Sequence, residues 1–137
     1  MENCIFCKIA SKNLESYIIE ENNSFVAVLD INPHSPGHTL ILPKEHIVNF
    51  IDFPLEKSVD LIDIMKKTIK ILISKLKTQD FTIGINEGRL AGRAIDHLHI
   101  HIIPRFENDK GGSIHSVVFN PPKESLEEIY KKIKNES

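Results

Sequence analysis

The sequence predicts an α+β domain: a mainly antiparallel five-stranded sheet with one long helix and a C-terminal helix. Three observations support this. Five short β-rich segments are bounded by turn residues, one long stretch carries apolar residues at three- and four-residue spacing, and no repeat or low-complexity linker divides the chain. A length of 137 residues suits one domain, taken as residues 1–137, and 41% apolar with 26% charged residues is globular composition.

Ser16 to Glu21 (SYIIEE) and Ser24 to Asp30 (SFVAVLD) read as two strands, with Asn22-Asn23 as the hairpin turn between them. Asn32 to Gly37 (NPHSPG) is dense in turn residues, and its prolines exclude regular structure. His38 to Pro43 (HTLILP) follows as a third strand. From Pro54 to about Lys77 the period becomes helical, with Leu55, Val59, Ile62, Met65, Ile69, Leu72 and Leu76 forming one apolar stripe. Pro54 suits the first turn, and the lysines at the far end complement the helix dipole and form a solvated face. Asp80 to Glu87 (DFTIGINE) alternates as a half-buried fourth strand, Gly88 to Ala94 is a glycine-bearing loop, and His97 to Pro104 (HLHIHIIP) is the fifth strand. The tail after Pro121-Pro122 returns to helical spacing through Leu126, Ile129 and Ile133, with Ser125 and Glu128 placed for a capping box.

Seventeen basic against nineteen acidic side chains leave a net charge of −2, which argues against a general nucleic-acid binder. No apolar stretch approaches the ~20 residues of a membrane span and no signal segment precedes the domain, so a soluble cytoplasmic protein without membrane partners is expected. The unusual feature is histidine: seven in all, three of them inside residues 97–101.

Alternate side chains of a strand share a face, so His97, His99 and His101 would line one side while Leu98, Ile100 and Ile102 pack into the core. Two chemistries fit a row of imidazoles. A neutral histidine can attack phosphorus while its neighbours orient it and donate to phosphate oxygens. Alternatively, histidines at i and i+2 with a third ligand can hold a catalytic Zn²⁺. Cys4-x-x-Cys7 is equally open on its own terms: a redox pair, half of a zinc site, or two unremarkable thiols. The thioredoxin-like context of a redox pair is missing, and a closed zinc site would need histidines to complete it.

HLHIHII, from His97 to Ile103, resembles the signature of the histidine-triad (HIT) nucleotide-binding family. The resemblance extends over nearly the whole chain, through NCIFCKI, AVLDINPHSPGHTLILPKEH, GINEG and HLHIHIIPRF, and points to the bacterial zinc-bearing type. It implies a HIT-like fold and a nucleotidyl hydrolase or transferase that cleaves at the α-phosphate of nucleoside phosphoramidates or dinucleoside polyphosphates. A covalent nucleotidyl-histidine intermediate is implied, with a purine nucleotide as the partner. By position, His99 resembles the nucleophile, His101 the histidine that supports the α-phosphate, and His38 the fourth histidine of the site. Asp30 resembles the acid that binds the ribose hydroxyls, while Phe6, Ile9, Ile31 and Leu40 would wall the base slot. Asn86 resembles the phosphate-side amide, and Gly92 would bring backbone N–H groups to phosphate. The resemblance also implies structural Zn²⁺ on Cys4, Cys7, His46 and His97, and commonly a symmetric homodimer.

The chain departs from the family at Gly92-Arg93-Ala94, where Gly-Gln followed by Ser or Thr is usual. Ala94 lacks a hydroxyl, and Arg93 would offer a planar fork to phosphate oxygens, favouring an anionic leaving group. A regulatory adaptor that binds nucleotide with little turnover is the alternative reading. His34 and His115 are expected to be exposed loop residues without a role.

Overall fold

The computed structural model describes residues 3–135, so the first two and last two residues of the predicted 1–137 unit lie outside the described residues. Three α-helices, α1 (Ile5–Ala10), α2 (Ser58–Leu76) and α3 (Leu126–Lys134), accompany five strands: β1 (Ile18–Glu21), β2 (Phe25–Leu29), β3 (Thr39–Pro43), β4 (Asp80–Gly84) and β5 (Ile100–Arg105). The strands form one sheet in the order β1-β2-β3-β5-β4, and every neighbouring pair is antiparallel. The α+β expectation therefore holds, with β5 seated between β3 and β4.

Pleating divides the sheet into two apolar layers. On one face Phe25, Ala27, Ile41, Leu98, Ile100 and Ile102 pack with Leu61, Ile64 and Leu72 of α2. On the other, Val26, Val28, Leu40 and Leu42 pack with Phe6 and Ala10 of α1. The histidine face thus has an apolar floor of its own, roofed by a helix that the sequence reading did not anticipate. Cys4 caps α1, its sulfur accepting the backbone N–H of Cys7 at 3.4 Å.

Three expected elements shift. The fifth strand begins at Ile100 and not at His97, because Leu98 N–H donates to Ile47 O at 2.6 Å and His97 N–H to Ile95 O, which bends the chain away from the ladder. The fourth strand stops at Gly84, opposite His101, since β5 offers it no partner further along. The apolar stripe expected from Pro54 holds only in part: α2 starts at Ser58, after a short turn that carries exposed Leu55, and Leu61, Ile64, Thr68 and Leu72 form its buried face. Met65, Ile69 and Leu76 pack against the core as expected, whereas Val59 and Ile62 are exposed. Polar Thr68 on the buried face and apolar Val59 and Ile62 on the outer one blur the stripe in the sequence.

The Thr68 hydroxyl is fully buried without a hydrogen-bond partner. A buried donor left unpaired costs about 1–3 kcal/mol. Thr68→Val, which removes the hydroxyl at nearly constant shape, is expected to raise stability by roughly 1 kcal/mol in urea unfolding. The predicted capping box is present at Ser125 and Glu128. Gly37 adopts φ +87°, and a methyl group there would collide with Leu76 Cδ1. Only glycine joins the proline-rich turn to β3 at this point, with the next residue, His38, delivered beneath the sheet's histidine face.

Candidate functional site

The approach to β5 places the three triad histidines in different environments. His97 is fully buried, and its Nε2–H donates to the Pro43 carbonyl at 2.9 Å. That bond assigns the proton to Nε2 and leaves the Nδ1 lone pair free. His99 is 8% exposed, and its Nδ1–H donates to the His97 carbonyl at 2.8 Å. Its lone pair therefore resides on Nε2, which no hydrogen bond to the described residues engages. The edge of Phe6 packs against both rings, at centroid distances of 5.9 Å to His97 and 5.0 Å to His99.

His101, the only triad histidine within β5, belongs to a second chain of bonds. The backbone N–H of His34 donates to His38 Nδ1 at 3.1 Å, so neutral His38 carries its proton on Nε2. His38 Nε2 lies 2.9 Å from His101 Nδ1 and donates to it, which leaves the remaining proton on His101 Nε2. That Nε2–H is buried and has no partner among the described residues. The His99 and His101 ring centroids are 5.1 Å apart and meet edge-on, so the ring with the unused donor neighbours the ring with the unused lone pair. Asp30 joins this group, with Oδ2 3.5 Å from His38 Nε2 and Oδ1 accepting Asn32 N–H. Asp30, His38 and His101 come close enough to suggest a cation site. The bonding argues against one, because His38 Nδ1 already serves as an acceptor and Nε2 must carry its proton.

Burial holds both members of the pair neutral. It pushes His101 down to about 4, reinforced by the neighbouring His99 and His38, and it lowers His38 as well, with Asp30 opposing. A histidine that titrates near 4 when folded and near 6.5 when unfolded contributes stability above pH 6.5, and that contribution is lost as pH falls toward 4. Between pH 7 and 4, wild type is expected to lose up to about 3 kcal/mol more stability than His101→Gln. Urea unfolding at both pH values measures the difference.

The second cluster joins Cys4 and Cys7 of the α1 entry, His46 after β3, and His97; their ligand atoms all lie within 4.8 Å of one another. Individual contacts are Cys7 Sγ to His46 Nδ1 at 3.2 Å, Cys4 Sγ to His97 Nδ1 at 3.4 Å and Cys7 Sγ to His97 Nδ1 at 3.5 Å. Tetrahedral Zn²⁺ with ordinary Zn–S and Zn–N bonds sets sulfur–nitrogen edges of about 3.6 Å. The donors thus fit such an ion, and the Pro43 bond turns the correct nitrogen of His97 toward the thiols. Burial raises the Cys7 thiol and pushes His97 down to about 4. His97 Nδ1 faces the two thiols, and its ring lies 5.2 Å from that of His46.

The remaining expected residues divide. Phe6 and Leu40 are buried beneath the histidines and Ile9 packs beside them, while Ile31 is 76% exposed at the rim. Asn86 and Ala94 are exposed. Gly92 has φ +99° with open space where a Cβ would stand, but its N–H donates to Arg89 O at 2.9 Å and is not offered to phosphate as expected. Arg93 corrects its expectation. Its guanidinium is 12% exposed and engaged within the chain, Nη1 donating to Asn49 Oδ1 at 2.8 Å and Nε standing 3.3 Å from Asp96 Oδ1. Two of its three nitrogens are turned to partners within the chain, so the fork is not a free pair for phosphate and no longer supports an anionic leaving group. His34 and His115 are exposed as expected, but the His34 backbone N–H sets the tautomer of His38. Sequence reading missed that N–H, the Pro43 carbonyl and Asn49, because backbone groups and long-range amide contacts leave no residue-type signal.

The HIT domain family model matches residues 11–108. An uncharacterised HIT-like protein of Methanocaldococcus jannaschii is 38% identical over 135 residues, covering 96% of this chain and 98% of that protein. The adenosine 5'-monophosphoramidase of Schizosaccharomyces pombe is 34% identical over 109 residues, 80% of this chain and 79% of that one. Among solved structures, a zinc-bound histidine triad family protein from Mycobacterium smegmatis superposes with a TM-score of 0.73 at 33% identity, over 80% of this chain and 79% of that one.

Proposed function

The chain belongs to the HIT domain family, and on that premise we propose that it is a nucleotidyl hydrolase or transferase. It cleaves at the α-phosphate of a purine nucleoside phosphoramidate or dinucleoside polyphosphate. The observation that carries this reading is the His99 Nδ1–H bond to the His97 carbonyl, which leaves Nε2 as a nucleophile beside the unpaired Nε2–H of His101.

In the first step the His99 Nε2 lone pair forms a bond to the α-phosphorus, and the bond from phosphorus to the leaving nitrogen or oxygen breaks with its electron pair. The Nδ1–H bond to the carbonyl stabilises the positive charge that the ring acquires. His101 Nε2–H, supported by His38, donates to the phosphoryl oxygens where negative charge develops, with Asn86 alongside. Water, or another acceptor, then attacks phosphorus, and the P–N bond to His99 breaks to regenerate the imidazole. Asp30 accepts from the ribose hydroxyls, and Phe6, Ile9, Ile31 and Leu40 border the base. Ala94 supplies no hydroxyl to this machinery.

Cys4, Cys7, His46 and His97 would hold Zn²⁺ as a closed structural ion, which supplies rigidity and not Lewis acidity to the substrate. The donor set and the zinc-bound relative support this. We read residues 1–137 as one HIT domain that works in the cytoplasm as a homodimer. Exposed apolar residues on α2 (Val59, Ile62) and α3 (Leu126, Ile133) support the dimer. No helix among the described residues is long and apolar enough to cross a membrane, and the net charge of −2 does not favour nucleic acid.

The test is a substrate panel of adenosine and guanosine phosphoramidates and diadenosine polyphosphates. Turnover of at least one by wild type supports the proposal. Tight nucleotide binding without turnover across the panel overturns it in favour of the regulatory adaptor.

A further inference from the structure

We infer that Arg93 is a positioning residue that locks the glycine loop 88–92 and the Cys4–Cys7–His46–His97 cluster into one unit. Its guanidinium touches both backbone segments that deliver the imidazoles of the cluster. Nη1 donates to Asn49 Oδ1 at 2.8 Å and reaches Val48 O at 3.5 Å, in the residues that follow His46. Nε stands 3.3 Å from a carboxylate oxygen of Asp96, the residue immediately before His97. That nitrogen is buried and has no aligned hydrogen bond, so the Asp96 contact is an ion pair by proximity. The same residue closes the glycine loop, its backbone N–H donating to Gly88 O at 3.1 Å.

Two other bonds cross the seam on either side. Leu98 N–H donates to Ile47 O at 2.6 Å, and Phe50 N–H donates to Glu87 Oε2 at 2.8 Å. The segment that carries His46 is thus laced to residues 87–98 at three places, and Arg93 is the central tie. The chemistry of the side chain suits this position. A planar fork can address two directions at once, whereas an ammonium offers a point charge and a shorter amide cannot span both partners. The half-buried Asn49 carbonyl and the Val48 carbonyl lose their donor when the fork is removed. Groups that orient metal ligands from outside the coordination sphere typically change metal affinity by 10- to 100-fold.

The inference rests on the zinc reading, and zinc itself is the probe. Full-length wild type, Arg93→Ala and Arg93→Lys are loaded with Zn²⁺, and transfer of the ion to a chromogenic chelator is followed together with hydrolysis of adenosine phosphoramidate. Zinc affinity is expected to fall about tenfold or more in Arg93→Ala. Arg93→Lys is expected to recover only part of the loss, because charge without the fork holds one segment and not two. In both variants kcat should fall more than KM rises, since the loop is displaced while the base slot is intact. Zinc affinity within twofold of wild type in both variants overturns the inference, and should Arg93→Ala fail to fold, Arg93→Lys decides alone. A wild type that takes up no zinc overturns the zinc reading and this coupling together, which separates that failure from a failure of Arg93 alone.

Discussion

His99→Gly is expected to lower kcat by roughly 10,000-fold or more while leaving nucleotide affinity within about threefold. The asymmetry follows from geometry. His99 contributes one unengaged lone pair, whereas binding is divided among Asp30, the apolar slot and Asn86. Removing the ring deletes the atom that bonds to phosphorus, and no neighbour can replace it. His101 has its Nδ1 lone pair occupied by His38 Nε2–H, and His97 has its own turned toward the thiols. Steady-state kinetics and nucleotide titration of the variant measure both quantities. A variant that retains a tenth of wild-type kcat would show that the nucleophile lies elsewhere.

Removing the metal is expected to have the largest effect on stability, a loss of roughly 5 kcal/mol or more, because a structural zinc would tie three separate segments together at one point. Cys4 and Cys7 belong to the α1 entry, His46 follows β3, and His97 precedes β5. Without an ion, the thiols and imidazoles are left with weak sulfur–nitrogen contacts of 3.2–3.5 Å. The effect should reach the chemistry as well, since the His97 carbonyl is the acceptor that orients His99. Chelated wild type and Cys4→Ser should both melt far below the zinc-loaded protein, and both should lose 10- to 100-fold in activity. Calorimetry with and without chelator makes the comparison. A chelated protein that melts and turns over as before would remove the structural role.

The histidine face was legible because its period is explicit: Leu98, Ile100 and Ile102 enter the core as alternation demands. What alternation could not show is that strand pairing starts only at Ile100, which frees His97 to turn its Nδ1 toward the two thiols. The ladder is set by β3, whose Pro43 carbonyl is taken by an imidazole, and that is a tertiary event. The stripe of α2 was misjudged for a related reason. Met65, Ile69, Leu72 and Leu76 do face the core, but Thr68 shares the buried face while Val59 and Ile62 lie on solvent, so hydrophobicity alone located the inner face only in the C-terminal part. The six-residue α1 is too short for a periodic signal. Arg93 shows the limit for site residues. Its charge and planarity suggested phosphate, and only the positions of Asn49 and Asp96 reveal that its fork is already engaged.

The central claim is that nucleotide passes through a covalent bond to His99. Rapid-quench sampling of wild type during turnover of an adenosine phosphoramidate, held alkaline to preserve phosphoramidates and followed by peptide mass spectrometry, tests it most directly. The account predicts a nucleotidyl group on the peptide containing His99, formed and consumed at rates compatible with kcat. Turnover with no protein-bound nucleotide at any time, or with the group on another residue, would contradict it.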